Sequence, residues 1–188
     1  QIALYADHVI AISKDNAARL GLIDKVSVVY NFSEVNENPI NVRDVVGKVV
    51  LYVGGDSIIK GFLTLVDSLP YLDEDIEVWF CGYYRDNNKS SISMLEKLKN
   101  TIRGLMPMHK KLLRARNIIL THPRAKVLGL RNDVSVLITK STVLVSPFAI
   151  EHFSRPVVEA FSNARCAIGT DVVGMDEIID NEVNGLIV

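Results

Sequence analysis

The stretch Val143-Leu144-Val145-Ser146-Pro147-Phe148-Ala149-Ile150-Glu151-His152-Phe153-Ser154-Arg155-Pro156-Val157-Val158-Glu159 decides the fold. Its first three residues are aliphatic without a polar break, as expected of a strand covered on both faces. Pro156 lies just inside a helix start, where its fixed φ and missing N–H do no harm. A polar loop joins the two, so the stretch reads as strand, loop and helix.

The same order repeats along the chain. Val49–Val53, Ile76–Cys81, Ile118–Thr121, Thr142–Val145, Cys166–Gly169 and Leu186–Val188 are near-continuous apolar runs that predict parallel strands. Helical stretches are expected at Gly61–Ser68, Ser91–Arg103, Asp133–Lys140, Pro156–Ala164 and Asp176–Asp180. The whole predicts an α/β fold, a doubly wound Rossmann-like parallel sheet. Ahead of it, His8–Ile12 is a short apolar run, Ser13 a helix N-cap, Gly21 a left-handed stop and Lys25–Tyr30 another strand. Asn31 to Gly47 loses apolar periodicity and reads as a linker.

Polar chemistry follows the carboxyl ends of the expected strands: Gly54-Gly55, Gly82, Ser146 to Glu151 and Thr170 to Gly174. Open α/β sheets bind ligands beyond those ends. Glu151 and Glu159, separated by seven residues, would place one carboxylate in the loop and one in the first helical turn. Acceptor-only carboxylates suit sugar hydroxyls, including the vicinal diol of a ribose. In Gly54-Gly55-Asp56-Ser57-Ile58-Ile59-Lys60-Gly61 the glycines allow close backbone approach, and Lys60 adds its charge to the field of a helix start, where a phosphate would sit. The spacing is not that of a Walker A loop, and no Gly-x-Gly-x-x-Gly follows a strand. Taken alone, Lys60 reads equally as a solvated lysine, Glu159 as a helix-surface residue, Glu151 as a loop charge and His152 as a loop residue. Glu177 reads as structural, capping or orienting its loop.

With 188 residues, 48% of them hydrophobic, the chain can bury a real core and is not disordered. No apolar run is long enough to span a bilayer, and no charged and apolar leader pattern opens the sequence. Cys81 and Cys166 both lie in apolar runs and are expected as reduced core residues of a cytoplasmic protein, without a disulfide. His8, His109, His122 and His152 are scattered, so no metal site is expected. From Lys97 to Asn132 there is no acidic residue, while ten lysines and arginines fall there. Such a block reads as a solvated face or as contact with something anionic. Its sharper form is Pro107-Met108-His109-Lys110-Lys111-Leu112-Leu113-Arg114-Ala115-Arg116, a basic amphipathic stretch suited to anionic lipid. Nucleic acid is disfavoured because aromatic residues are sparse in the block.

Taken in order, the motifs resemble the donor-binding half of a GT-B glycosyltransferase of family four, the retaining, nucleotide-sugar-dependent group. Ala6-Asp7-His8-Val9-Ile10-Ala11-Ile12-Ser13 is similar to the end of that family's acceptor domain, and Val28-Val29-Tyr30-Asn31 to the strand entering its hinge. Gly54–Gly61 resembles the phosphate loop, Gly129-Leu130-Arg131-Asn132-Asp133-Val134 the turn beside the base, and Glu151–Glu159 the paired-glutamate motif. Val172–Glu177 and Asn184-Gly185-Leu186 resemble its closing segments.

The resemblance implies residues 1–31 as the tail of an acceptor domain, 32–46 as an interdomain linker and 47–188 as the donor domain, truncated at its C-terminus. It implies a donor site of Gly54, Gly55, Lys60, Leu130, Arg131, Glu151, Phe153, Ser154 and Glu159. Lys60 would bind the diphosphate. Glu151 and the amides around Phe153 and Ser154 would contact the sugar, Glu159 the ribose, and Leu130-Arg131 the base. Lys60 and Glu151 carry the catalytic expectation, with no metal and no cofactor beyond the nucleotide-diphosphate sugar itself. An acceptor glycan or lipid-linked acceptor is the implied partner, with peripheral contact to the cytoplasmic membrane face through 97–132. The pattern departs at Gly55, where an arginine is usual, and at Ser154, Ala164, Cys166 and Val173. These departures keep a degenerate or non-catalytic nucleotide-sugar-binding module as the alternative. The chain is expected to bind nucleotide without turnover, because catalysis needs both halves closed around the donor.

Overall fold

The computed structural model describes residues 5–21, 24–41, 45, 47–82 and 107–188. The expected helix Ser91–Arg103 and the basic residues Lys97, Lys99 and Arg103 lie outside them.

Six strands form one sheet: β3 (Lys48–Val53), β4 (Ile76–Cys81), β5 (Ala125–Gly129), β6 (Val143–Ser146), β7 (Ala167–Gly169) and β8 (Gly185–Ile187). Every pairing is parallel, in the order β5-β4-β3-β6-β7-β8. Side chains alternate across a strand, so Leu51 and Tyr52 enter different cores. Leu51, Leu144 and Ala167 pack with α4 (Val134–Thr139) and α5 (Arg155–Ser162) on one side. Tyr52, Val78 and Phe80 pack with α2 (Phe62–Ser68) and α3 (Pro107–Thr121) on the other. Covered on both faces, the sheet has the doubly wound α/β architecture read from the apolar runs.

A second, two-stranded parallel sheet precedes it. β1 (Val9–Ala11) pairs with β2 (Val26–Val28), and α1 (Lys14–Leu20) crosses between them. Ser13 Oγ accepts the amide of Asn16 at 3.0 Å, and Gly21 ends the helix at φ 63°. Both caps are as expected, and a Ser N-cap is worth about 1 kcal/mol.

Four expectations change. Ile118–Thr121 is the last turn of α3, and the strand is Ala125–Gly129. A short aliphatic run cannot by itself separate a strand from a helix end; here Ile119 is buried while Leu120 is 69% exposed, as on a helix face. Asp176–Asp180 is a run of turns, anchored by buried Met175 and Ile179. Cys166 is exposed, so only Cys81 is a core thiol, and both are free. Glu159 is the fifth residue of α5, one turn deeper than the first-turn position expected.

Candidate functional site

The sheet order places a topological switch between β3 and β6: the chain leaves β3 toward β4 and β5, then returns to build β6, β7 and β8 on the other side. The crevice above such a switch is where open α/β sheets bind ligands. Its two walls are the loop after β3, Gly54 to Gly61, and the loop after β6, Pro147 to Ser154.

The β3 loop is bound into its own sheet. The amides of Gly54 and Gly55 both donate to the Cys81 carbonyl, at 3.0 and 3.1 Å, so the glycine pair makes its close approach to the end of β4. Gly55 has φ +61° and Gly61 +76°. At Gly61 a Cβ would stand 1.7 Å from the Pro147 carbonyl oxygen, so only glycine lets the two loops touch. Ala149 N–H donates to the Ile59 carbonyl at 3.0 Å, adding a second tie between them.

Behind this loop Asp56 is ion-paired with Arg116 of α3, both side chains less than one-fifth exposed. The Tyr52 hydroxyl and the Nε and Nη1 atoms of Arg116 are buried with no hydrogen-bond partner among the described residues. Burial, and then the Asp56 charge, push the Tyr52 phenol well above its ordinary range. Sequence reasoning missed this pair: the partners are sixty residues apart, and neither stands out among the chain's charges.

Lys60, half-buried at the end of the loop, lies close enough to the opposite wall for its charge to act on His152. Burial, and then the Lys60 charge, lower the pKa of His152 below its ordinary range. Its ring stacks on Phe148 at 3.9 Å. Glu151 is exposed, and among the described residues its carboxylate takes no hydrogen bond. Phe153 and Ser154 are 4% and 0% exposed. The Ser154 hydroxyl is bonded to that of Ser146 at 2.8 Å, while the amides of Phe153 and Ser154 have no acceptor among the described residues. The side chains of both residues are thus turned into the protein. Glu159 follows on α5, its Oε1 accepting Arg155 Nε at 2.9 Å and its side chain 20% exposed.

Lys60, Glu151, Phe153 and Ser154 thus come from the two loops that meet at the switch, and Glu159 from the helix that follows the second of them. Leu130 and Arg131 follow β5, two strands from β3, about 10 Å away along the sheet. Leu130 is 77% exposed, and Arg131 is held by Asp133 through bonds of 2.8 and 2.7 Å. Among the described residues no three His, Cys, Asp or Glu side chains gather as a metal site.

The basic block divides. Arg116, Arg124, Lys126 and Arg131 are engaged by protein partners: Asp56, the carbonyls of Leu69, Leu72 and Asp73, Glu77, and Asp133. Lys110, Lys111 and Arg114 remain exposed along α3. No helix among the described residues is long and apolar enough to cross a membrane.

No curated protein sequence matches the chain. Among solved structures, HepE from Anabaena in complex with UDP and glucose superposes with a TM-score of 0.71 at 21% identity, over 97% of this chain and 49% of that one. The lipopolysaccharide outer core galactosyltransferase WaaB gives 0.67 at 22% identity, over 98% and 49%. Sucrose-phosphate synthase from Thermosynechococcus elongatus gives 0.69 at 21%, over 97% and 45%. The chain spans about half the length of these proteins, and at such identity the likeness shows the fold, that of one half of a GT-B enzyme. The profile of the glycosyl transferases group 1 matches residues 47–188, the whole six-stranded sheet with both walls of its crevice. By that match over most of its length, on the fold and motifs described, the chain belongs to the glycosyl transferases group 1 family.

Proposed function

We propose that this chain is the donor-binding half of a retaining glycosyltransferase that uses a nucleotide-diphosphate sugar. The observation that supports the reading is that Lys60, the Glu151–Ser154 loop and the helix bearing Glu159 all follow the carboxyl ends of β3 and β6, the strands on either side of one switch point. Lys60 is the charge for the diphosphate. The carboxylate of Glu151 and the acceptor-free amides of Phe153 and Ser154 suit the transferred sugar. Glu159 suits the ribose diol, with Arg155 holding one of its oxygens, and the Leu130–Arg131 turn lies nearest the base. In the reaction the bond between the anomeric carbon and the diphosphate breaks, and an acceptor hydroxyl oxygen bonds that carbon on the same face while its proton passes to the departing diphosphate. The departing charge is met by Lys60 and backbone amides preorganised for it, without a metal.

The acceptor, a glycan or a lipid-linked molecule, would be presented by the other half of the enzyme. This chain alone therefore binds donor without turnover. A cytoplasmic location with peripheral contact to an anionic leaflet is supported by the exposed Lys110, Lys111 and Arg114. Neutralising those three should abolish sedimentation with phosphatidylserine liposomes; unchanged sedimentation would overturn that contact.

The test of the main reading is calorimetric titration with UDP, GDP and ADP and their sugar conjugates. UDP comes first because the similar HepE was solved with it. Saturable binding of one nucleotide, weakened about tenfold or more by Glu159→Ala, is the expected result. Failure to bind any of them would overturn it.

A further inference from the structure

The N-terminal segment reaches the loop that carries Phe153. Tyr30 lies just past β2, and its ring stacks on Phe153 with centroids 5.3 Å apart and planes inclined by 21°. Its hydroxyl donates to Glu177 Oε2 at 3.1 Å. The same carboxylate accepts the amide of Lys14 at 2.7 Å and that of Asp15 at 2.9 Å. These open α1, where N–H groups have no partner within the helix. Burial alone would raise the Glu177 pKa. The amides of Asp15 and Lys14 and the Tyr30 hydroxyl outweigh it and hold the carboxyl below its ordinary range.

Glu177 also belongs to the segment that supports the loop from the other side. His152 N–H donates to the Val173 carbonyl at 3.0 Å, and a Cβ on Gly174 would come within 3.3 Å of the His152 carbonyl. The loop is therefore gripped at His152 by the 173–174 turn and at Phe153 by Tyr30. The first comes from the segment that carries Glu177, and the second from the tyrosine that Glu177 holds.

We propose that Tyr30 and Glu177 are positioning residues of the donor site, holding the Phe153 loop where Glu151 and the Phe153 and Ser154 amides meet the transferred sugar. This rests on the donor-site reading above. Neither residue touches the ligand: Tyr30 acts through Phe153, and Glu177 acts through Tyr30 and the turn before it. The consequence is selective. Lys60 and Glu159 stand on other elements, so loosening the loop weakens the grip on the sugar and leaves that on the nucleotide. A contact that only stabilises the fold would weaken both equally, or neither.

The experiment titrates the chain with UDP, UDP-glucose, GDP and GDP-mannose, with thermal midpoints measured alongside. For the pair that binds, Tyr30→Ala is expected to lower affinity for the sugar conjugate about tenfold and for the bare diphosphate less than about twofold. Tyr30→Phe keeps the stack and restores most of the loss. Glu177→Gln, which still accepts an amide through one oxygen, falls between. Equal effects on conjugate and bare nucleotide, or none on either, while Glu159→Ala still weakens the nucleotide, would overturn the positioning role and leave the donor site standing. No binding by the unaltered chain, or indifference to Glu159→Ala, would bring down the donor-site reading and this proposal with it.

Discussion

The loop after β3 is tied to the neighbouring strand, to α3 and to Pro147, whereas the His152–Phe153 part of the loop after β6 leans on segments from both ends of the chain. Gly54 and Gly55 bond to the neighbouring strand β4, Gly61 fits only against Pro147, and Asp56 is anchored by a largely buried arginine of α3. The β6 loop leans instead on Tyr30, on Val173 and, through them, on Glu177. A wall built from sterics and a largely desolvated ion pair is rigid, because any change meets backbone or leaves a charge alone. A wall built from an aromatic stack and a few exposed hydrogen bonds can be loosened without unfolding the sheet. In this family member the diphosphate side of the proposed site is thus the stiff one, and the sugar side the adjustable one.

The sharpest way to break this contrast is Gly61→Ala. A Cβ there meets the Pro147 carbonyl and must adopt positive φ, a loss of about 4 kcal/mol. For a chain of this size that lowers the thermal midpoint by roughly 10 °C. Next is Asp56→Ala, which strands the Arg116 guanidinium and should lower unfolding free energy by about 3 kcal/mol in urea titration. Arg116→Met in that background should recover part of the loss. Ser154→Ala, on the other wall, leaves the buried Ser146 hydroxyl without its partner and should cost about 1–2 kcal/mol by the same titration. If Ser154→Ala proved as damaging as Gly61→Ala, the two walls would be equally rigid.

The smallest effect is a pH dependence at the Glu177 grip. Its carboxyl titrates below its unfolded value of 4.5, so its contribution is fully present above that pH and fades as pH falls through the lower folded value. Acid unfolding of Glu177→Gln should therefore differ from that of the unaltered chain at neutral pH and converge with it under acid. A difference that persists unchanged at the lowest pH would show that the charge at 177 is not what matters.

Much of this was legible in the residues. Aliphatic runs broken by loops announced a parallel sheet, because a strand covered on both faces has no polar face to keep wet. Ser13 and Gly21 announced the ends of α1, since their capping chemistry is local. The glutamate pair, Lys60 and the order of the motifs pointed to a crevice above the sheet, and residues 47–188 carry the family's pattern. Ile118–Thr121 and Asp176–Asp180 misled for the converse reason: four or five residues carry too little periodicity to choose between strand, helix end and turn.

The sequence by itself determined the α/β class and the caps of α1, because each depends on neighbours along the chain. Only the tertiary structure decided the rest. It sorted the described part of the basic block into residues with protein partners and an exposed face of α3. It joined Asp56 to Arg116, turned the side chains of Phe153 and Ser154 inward, and brought Glu177 to α1 and Tyr30. Those partners stand up to 163 positions apart, and no local pattern encodes a contact that exists only once the sheet has brought its ends together.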